Sequence, residues 1–218
     1  MILVIGSKGH ANVVIDIIEQ QGKYNIFGLI DPNEVKGKKV GGYKILGGEE
    51  AIPSIIKENK IKGGVIAIGD NWLRGEVEKK ILAYCSDFNF ISCVHPNSYV
   101  AKTADIKKGS VVMAGAIVNA NTTVGEHCIV NNNASIDHDS VLNNFSSVAP
   151  GATLGGNVRI GKFSAISLGA NLIHNIEVGE HSLVGAGALV TSGIGSQEVV
   201  FGSPAKKMRS REIGEKYL

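Results

Sequence analysis

The sequence predicts two successive domains, an α/β domain followed by a parallel β-helix, and three observations carry that reading. Residues 1–94 alternate short apolar runs with amphipathic, helix-like stretches, which is the grammar of βαβ units around a small parallel sheet. From Val100 to Val190 every sixth residue is aliphatic, sixteen in succession. Two residues before each stands a mostly small side chain, as in Ser98, Ala104, Ser110 and Ala116. Two inward positions separated by one outward position is strand alternation, here repeated by a six-residue unit over residues 95–218, which close in a short carboxyl-terminal tail.

The 218 residues suffice for two modest cores, and the net charge of +2 is spread without a basic stripe or a basic amphipathic stretch. Nucleic acid and membrane surfaces are therefore not expected partners, and a small molecule is. "MILVIGSKGH" has an apolar run but no basic region before it and a glycine loop after it, so it does not read as a secretory signal. No apolar run reaches the length of a membrane span. Cys85, Cys93 and Cys128 leave an odd thiol in any pairing and lack metal-ligand spacing. A reducing cytoplasm and no metal site are expected.

In the first domain "MILVIG" and "YNIFGLID" read as strands flanking the helix "HANVVIDIIEQQ". "GGVIAIGD" reads as the third strand and "NWLRGEVEKKILAYC" as the helix after it. The intervening "DPNEVKGKKVGGYKILG" reads as a loop without further content, and "VHPNSYV" ends the domain because Pro96 and Asn97 favour a turn. The "VIGSKGH" segment sets Gly6, Ser7 and Gly9 between the first strand and a helix whose free N–H groups favour a phosphate. Lys8 stands where a dinucleotide fingerprint has its second glycine, so nicotinamide chemistry is not implied. Asp31 ends the second strand, positioned for a ribose hydroxyl or a base, and Gly69, Asp70 and Asn71 close the same carboxyl edge of the sheet. His10 beside the loop either touches the ligand or caps the first helix turn.

In the second domain the residue after each aliphatic often tolerates φ > 0, as at Asn119, Gly125, Asn131, Asp137, Gly155 and Gly185, and these positions are expected to be the corners. Three six-residue sides make an 18-residue coil, and the run of coils makes a prism about 25 Å tall at the ~4.8 Å strand spacing. Residues 18 apart then stack on adjacent coils. His138 projects outward between the corner residue Asp137 and Asp139, with Gly156 directly beside it and Gly155 next to that. His174 shares the column two coils along but faces Ser192, and is expected at a surface or interface. His127, Phe145, Phe163 and His181 form an outward stripe, for which a subunit contact is the simplest cover.

The hexapeptide repeat resembles the left-handed β-helix acyltransferases, a resemblance that supplies the handedness. "GSKGHANVVID", "AIGDNWLR", "IDHD" and "VVFGSPAKKM" narrow it to the NeuD/PglD type of sugar acetyltransferases across nearly the whole chain. The resemblance implies a Rossmann-like amino-terminal domain, residues 1–94, that holds a nucleotide-sugar, and a left-handed β-helix, residues 95–218, that uses acetyl-CoA. It also implies a homotrimer with active sites between neighbouring prisms.

Acetyl transfer to an amine needs a base, and an imidazole with an ordinary pKa near 6.5 suits it. His138 is the expected base, Asp139 the carboxylate on its other ring nitrogen, and the Gly156 N–H the donor to the oxyanion. Family members usually carry glutamate where Asp139 stands. Gly156, Gly185, Gly187 and Pro204 are expected to line the acetyl-CoA groove, and Lys206 or Lys207 to meet a CoA phosphate. The diphosphate loop favours a nucleotide-linked sugar over a free monosaccharide, and the resemblance implies N-acetylation of a 4-amino-4,6-dideoxy sugar, with UDP expected ahead of GDP or dTDP. Sialic acid O-acetylation and a non-catalytic nucleotide-binding scaffold are the alternatives.

Overall fold

The computed structural model describes residues 1–216. Its first domain is a sheet of β1 (Ile2–Ile5), β2 (Ile26–Ile30), β3 (Lys39–Val40), β4 (Tyr43–Gly47) and β5 (Gly64–Ile66), in the order β3-β4-β2-β1-β5. All pairings are parallel except β3 with β4. Every residue of β1 is buried, as an apolar run sandwiched between layers must be. Helices α1 (Gly9–Gln21), α2 (Ile52–Glu58) and α3 (Asn71–Tyr84) complete the domain. The β3–β4 hairpin and β4 lie inside the segment read from sequence as a plain loop. Gly41 and Gly42, at φ 55° and 85°, make its two-residue turn, the φ > 0 pair that a tight hairpin requires.

The second domain consists of two-residue strands paired in parallel with a constant offset of 18, as in Ile117↔Ser135 and Ser135↔Thr153. They stack into three sheets, the faces of the prism. The register begins one unit earlier than Val100, because Cys93–Val94 already pairs with Val111–Val112. The aliphatic series from Val112 to Val190 forms one buried core with its small partners. Serines among those partners bridge coils: Ser140 Oγ accepts from Val158 N–H at 3.0 Å, and Ser164 Oγ from Ser182 N–H at 2.8 Å.

The corners differ from expectation by two residues. Positive φ falls on the third residue after each aliphatic, at Asn121, Asp139, Asn157 and Asn175, and not on the first. The first residue is still extended and in the ladder: Asn119 N–H donates to Ile136 O at 2.9 Å and Asp137 N–H to Leu154 O at 3.0 Å. The chain turns only after that bond is made, so Asp139 and not Asp137 adopts the left-handed conformation.

The three edges consequently carry different chemistry. One bears Asn121, Asp139, Asn157 and Asn175, another Gly115, Gly151, Gly169 and Gly187, and the third His127, Phe145, Phe163 and His181. On that third edge the rings stack with centroids 5.2, 4.9 and 4.9 Å apart, close to the inter-coil spacing. The same chain covers this stripe, correcting the expectation of a subunit contact. Arg74 of α3, fully buried, donates from Nε to His127 O at 2.7 Å and from Nη2 to Phe145 O at 3.1 Å. Trp72 lies 5.3 Å from Phe163, Phe90 lies 4.6 Å from His127, and a Cβ at Gly75 would stand 2.8 Å from the Phe163 ring. The helix glycine thus lets the aromatic edge seat against α3, fixing the two domains to each other.

Candidate active site

His138 stands on the Asn/Asp edge, its side chain more than half exposed. Two neighbours fix it. Its N–H donates to Asp137 Oδ1 at 2.8 Å, and its Nδ1 lies 2.7 Å from Asp139 Oδ2. Asp139 is held in turn by Asn121 Nδ2, which donates to Oδ1 at 3.0 Å from the coil below. Asp137 also accepts from Asn119 Nδ2 at 3.0 Å, so its role is to order the backbone under the histidine. The Asp139 hydrogen bond and then the Asp137 charge raise the imidazole above its ordinary pKa. The imidazole and Asn121 hold the Asp139 carboxyl below its own. An Nδ1–H donated to Asp139 leaves the Nε2 lone pair free.

Gly156 lies against that ring, as the 18-residue coil requires. A Cβ added there would be 2.7 Å from both Cε1 and Nε2 of His138. Asx residues cap the equivalent N–H elsewhere on this edge, Asn119 for Ala120 and Asp137 for His138. Gly155 stands in the capping place before Gly156 and carries no side chain. Among the described residues the Gly156 N–H accordingly has no acceptor and is free to donate outward. His138 and Gly156 share a concavity of ≈ 320 Å³ with Asp137, Asn157 and His174. His174, expected in the same column at a surface or interface, faces the same space.

A second cavity, of ≈ 300 Å³, opens at the carboxyl ends of β1, β2 and β5, where an open α/β sheet binds ligands. Gly6, Ser7, His10, Asp31 and Gly69 line it as expected. Asp31 is already engaged, accepting from Ser7 Oγ at 2.5 Å and from Asn33 N–H at 3.0 Å, so it braces the glycine loop after β1. Burial and then the Arg74 charge lower His10 to about 4, and its Nε2 has no protein partner among the described residues. His10 is thus neutral near pH 7 and does not serve as a cation. Three expected residues lie outside the lining. Gly9 opens α1, Asp70 caps α3 by accepting from Leu73 N–H at 2.8 Å, and Asn71 is buried against the β-helix, donating to Ser164 O at 3.1 Å. Glu49, Asn33 and Lys80 line the cavity and were not singled out in the sequence.

The expected cofactor residues do not gather around His138 within one chain. Gly156 does, but Gly185 and Gly187 lie on the glycine edge, and Pro204 and Lys206 in the hairpin Glu198–Gly202/Ala205–Ser210. Gly185 is a packing glycine, since a Cβ there would stand 2.0 Å from the Phe201 ring. Gly187, at φ 66°, has nothing within 4 Å of an added Cβ. Both lysines are exposed, but Lys207 is paired with Glu198 at 2.8 Å, which leaves Lys206 as the unpaired cation of the two among the described residues.

Residues 1–81 match the family of the PglD N-terminal domain. The acetyltransferase domain of PglB from Neisseria gonorrhoeae FA1090, solved in complex with acetyl coenzyme A, is 34% identical with a TM-score of 0.87, the match covering 95% of this chain and 98% of that one. A histidine-to-alanine variant of GDP-perosamine N-acetyl transferase from Caulobacter crescentus, solved with CoA and GDP-perosamine, is 28% identical with a TM-score of 0.90, covering 96% and 97%. The UDP-N-acetylbacillosamine N-acetyltransferase of Bacillus subtilis (strain 168) is 29% identical over 113 residues, 52% of this chain. That match spans 51% of the curated relative, about half its length.

Proposed function

The chain belongs to the NeuD/PglD-type sugar acetyltransferases, with their Rossmann-like domain and left-handed β-helix, and from that premise we propose that it acetylates the amino group of a nucleotide-linked 4-amino-4,6-dideoxy sugar from acetyl-CoA. The observation that carries the reading is the pairing of an anchored imidazole with an unoccupied backbone donor, His138 beside Gly156.

The chemistry follows from that pairing. The neutral amine attacks the thioester carbonyl while His138 Nε2 takes its proton. Asp139 stabilises the imidazolium, and the Gly156 N–H receives the carbonyl oxygen as it becomes an oxyanion. Collapse of the tetrahedral intermediate breaks the C–S bond, and the departing CoA thiolate takes the proton back from His138. The base and its carboxylate come from one short stretch of chain, so no domain closure is needed to assemble them.

The nucleotide portion of the substrate belongs in the cavity of Gly6, Ser7 and Asp31, with its diphosphate toward the start of α1. Acetyl-CoA belongs along a groove that uses Gly156 from one edge and Gly187, Pro204 and Lys206 from another. Those edges are separate in one chain, so the groove requires a second copy alongside, and a homotrimer is the arrangement this reading takes.

The test compares acetyl transfer from acetyl-CoA to UDP-, GDP- and dTDP-linked 4-amino sugars with transfer to sialic acid. An amide product from one of the nucleotide-linked amines supports the reading. Transfer to sialic acid hydroxyls alone replaces it with O-acetylation, and transfer to neither, with nucleotide still bound, leaves a binding scaffold.

A further inference from the structure

Resting on the reading of the amino-terminal cavity as the nucleotide-sugar site, we infer that Glu49 recognises guanine, making a GDP-sugar the substrate in preference to a UDP- or dTDP-sugar. Glu49 opens the single turn Glu49–Ala51 that follows β4. It is only 5% exposed, lines the cavity, and has no hydrogen-bond or ion-pair partner among the described residues. A carboxylate that opens onto a mostly apolar cavity without a protein donor points to donors arriving with a ligand.

The neighbouring acidic groups do not share this property. Asp31 is spent on Ser7 and Asn33, and Glu50 accepts from Gly48 N–H at 3.2 Å. Of the two carboxylates lining the cavity, Glu49 is therefore the one that remains open among the described residues. Around it the lining is mostly apolar, with Ile30, Leu73 and Val77 offering walls for a flat ring, and Lys80 is the nearby cationic contributor from α3.

The hydrogen-bonding edges of the bases decide which ring fits. Guanine alone presents two adjacent donors, N1–H and the N2 amine, which a carboxylate takes in parallel, beside an O6 acceptor that an ammonium group can meet. Uracil and thymine flank a single N–H with two carbonyl oxygens, whose lone pairs would face the carboxylate. Adenine and cytosine set an amine beside a bare ring nitrogen, with the same conflict. A mostly apolar cavity with one open carboxylate thus favours guanine, since a mismatched base leaves polar groups unpaired.

The experiment is calorimetric titration of the full-length protein with GDP, IDP, UDP and ADP, repeated on Glu49→Gln. Wild type should bind GDP at least tenfold tighter than UDP or ADP, with IDP, which lacks the N2 amine, weaker than GDP. Glu49→Gln should lose about tenfold or more for GDP while UDP binding changes little. Equal or tighter binding of UDP, IDP indistinguishable from GDP, or equal loss for all nucleotides in Glu49→Gln, as a ribose contact would give, overturns the inference. Melting curves confirm that the variant is folded, and the wild-type nucleotide series tests the inference without it. Because nucleotide binding is measured without acetyl-CoA, failure of the acetyltransferase reading, seen as acetyl transfer that does not occur, is distinguishable from failure of the guanine assignment.

Discussion

Gly156→Ala adds one methyl group at the point where the account is most exposed. The new Cβ would stand 2.7 Å from Cε1 and Nε2 of His138, whereas ordinary contact begins at 3.4 Å, so the ring must retreat by about 0.7 Å (3.4 − 2.7). The ring can do so, because its side chain is more than half exposed and nothing packs it from outside. The φ of Gly156 is not in the left-handed range, so alanine adds no backbone strain. Stability should therefore change by less than about 1 kcal/mol. Catalysis should not tolerate it: a displacement near 1 Å costs about 10²-fold when the reacting geometry is set this closely. We expect kcat for acetyl transfer to fall about 10²-fold with a melting temperature within a few degrees of wild type. Neighbouring Gly155→Ala should behave oppositely, since its Cβ would meet the His174 backbone at 2.7 Å, which cannot swing aside, and stability should fall. A Gly156→Ala enzyme within twofold of wild type would refute the proposed placement of base and oxyanion donor.

Further expectations follow from the same contacts. Asp139 raises the pKa of His138, and the proposed base is its deprotonated form, so kcat/KM should rise with pH through a value above that of an ordinary histidine; in Asp139→Asn this limb should move to lower pH as the plateau drops, which a pH–rate profile measures. Asn121→Ala should produce a smaller version of the same shift, because it frees Asp139 without removing it; an unchanged profile would make Asn121 a surface residue only. Arg74→Ala leaves the carbonyls of His127 and Phe145 and the Oδ1 of Asn71 without a donor they now have, so unfolding should cost about 3–5 kcal/mol less and the melting temperature should fall by roughly 10 °C. Ser7→Ala should weaken nucleotide binding while leaving acetyl-CoA binding unchanged, because it releases the loop from Asp31.

The β-helix was legible because a six-residue rule admits few structures. Each aliphatic must face in, each coil must stack on the next, and the neighbour of His138 follows by adding 18. What the repeat conceals is the position of the turn within the unit, since Asn, Asp and Gly occur at several offsets and only the inter-coil bond of residues such as Asp137 shows that the strand runs one residue further. The aromatic edge was legible as a stripe but not as an interface with α3, because a column of rings says that something covers it and not what. Gly75 between Arg74 and Glu76 was the available signal, a helix glycine at the contact point. In the first domain the glycine loop announced itself, whereas Asp70 and Asn71 share its sheet edge and serve α3 and the domain interface instead. Glu49 gave no signal, because burial of one carboxylate in a polar turn depends on β4, a strand the sequence did not reveal.

The most direct measurement is a single-turnover assay of acetyl transfer to a nucleotide-linked 4-amino sugar, comparing wild type with His138→Ala at saturating acetyl-CoA. The account predicts an N-acetylated product in wild type and a rate lower by about 10²–10⁴-fold in the variant, with acetyl-CoA and nucleotide affinities preserved. A variant that transfers acetyl at the wild-type rate would contradict it.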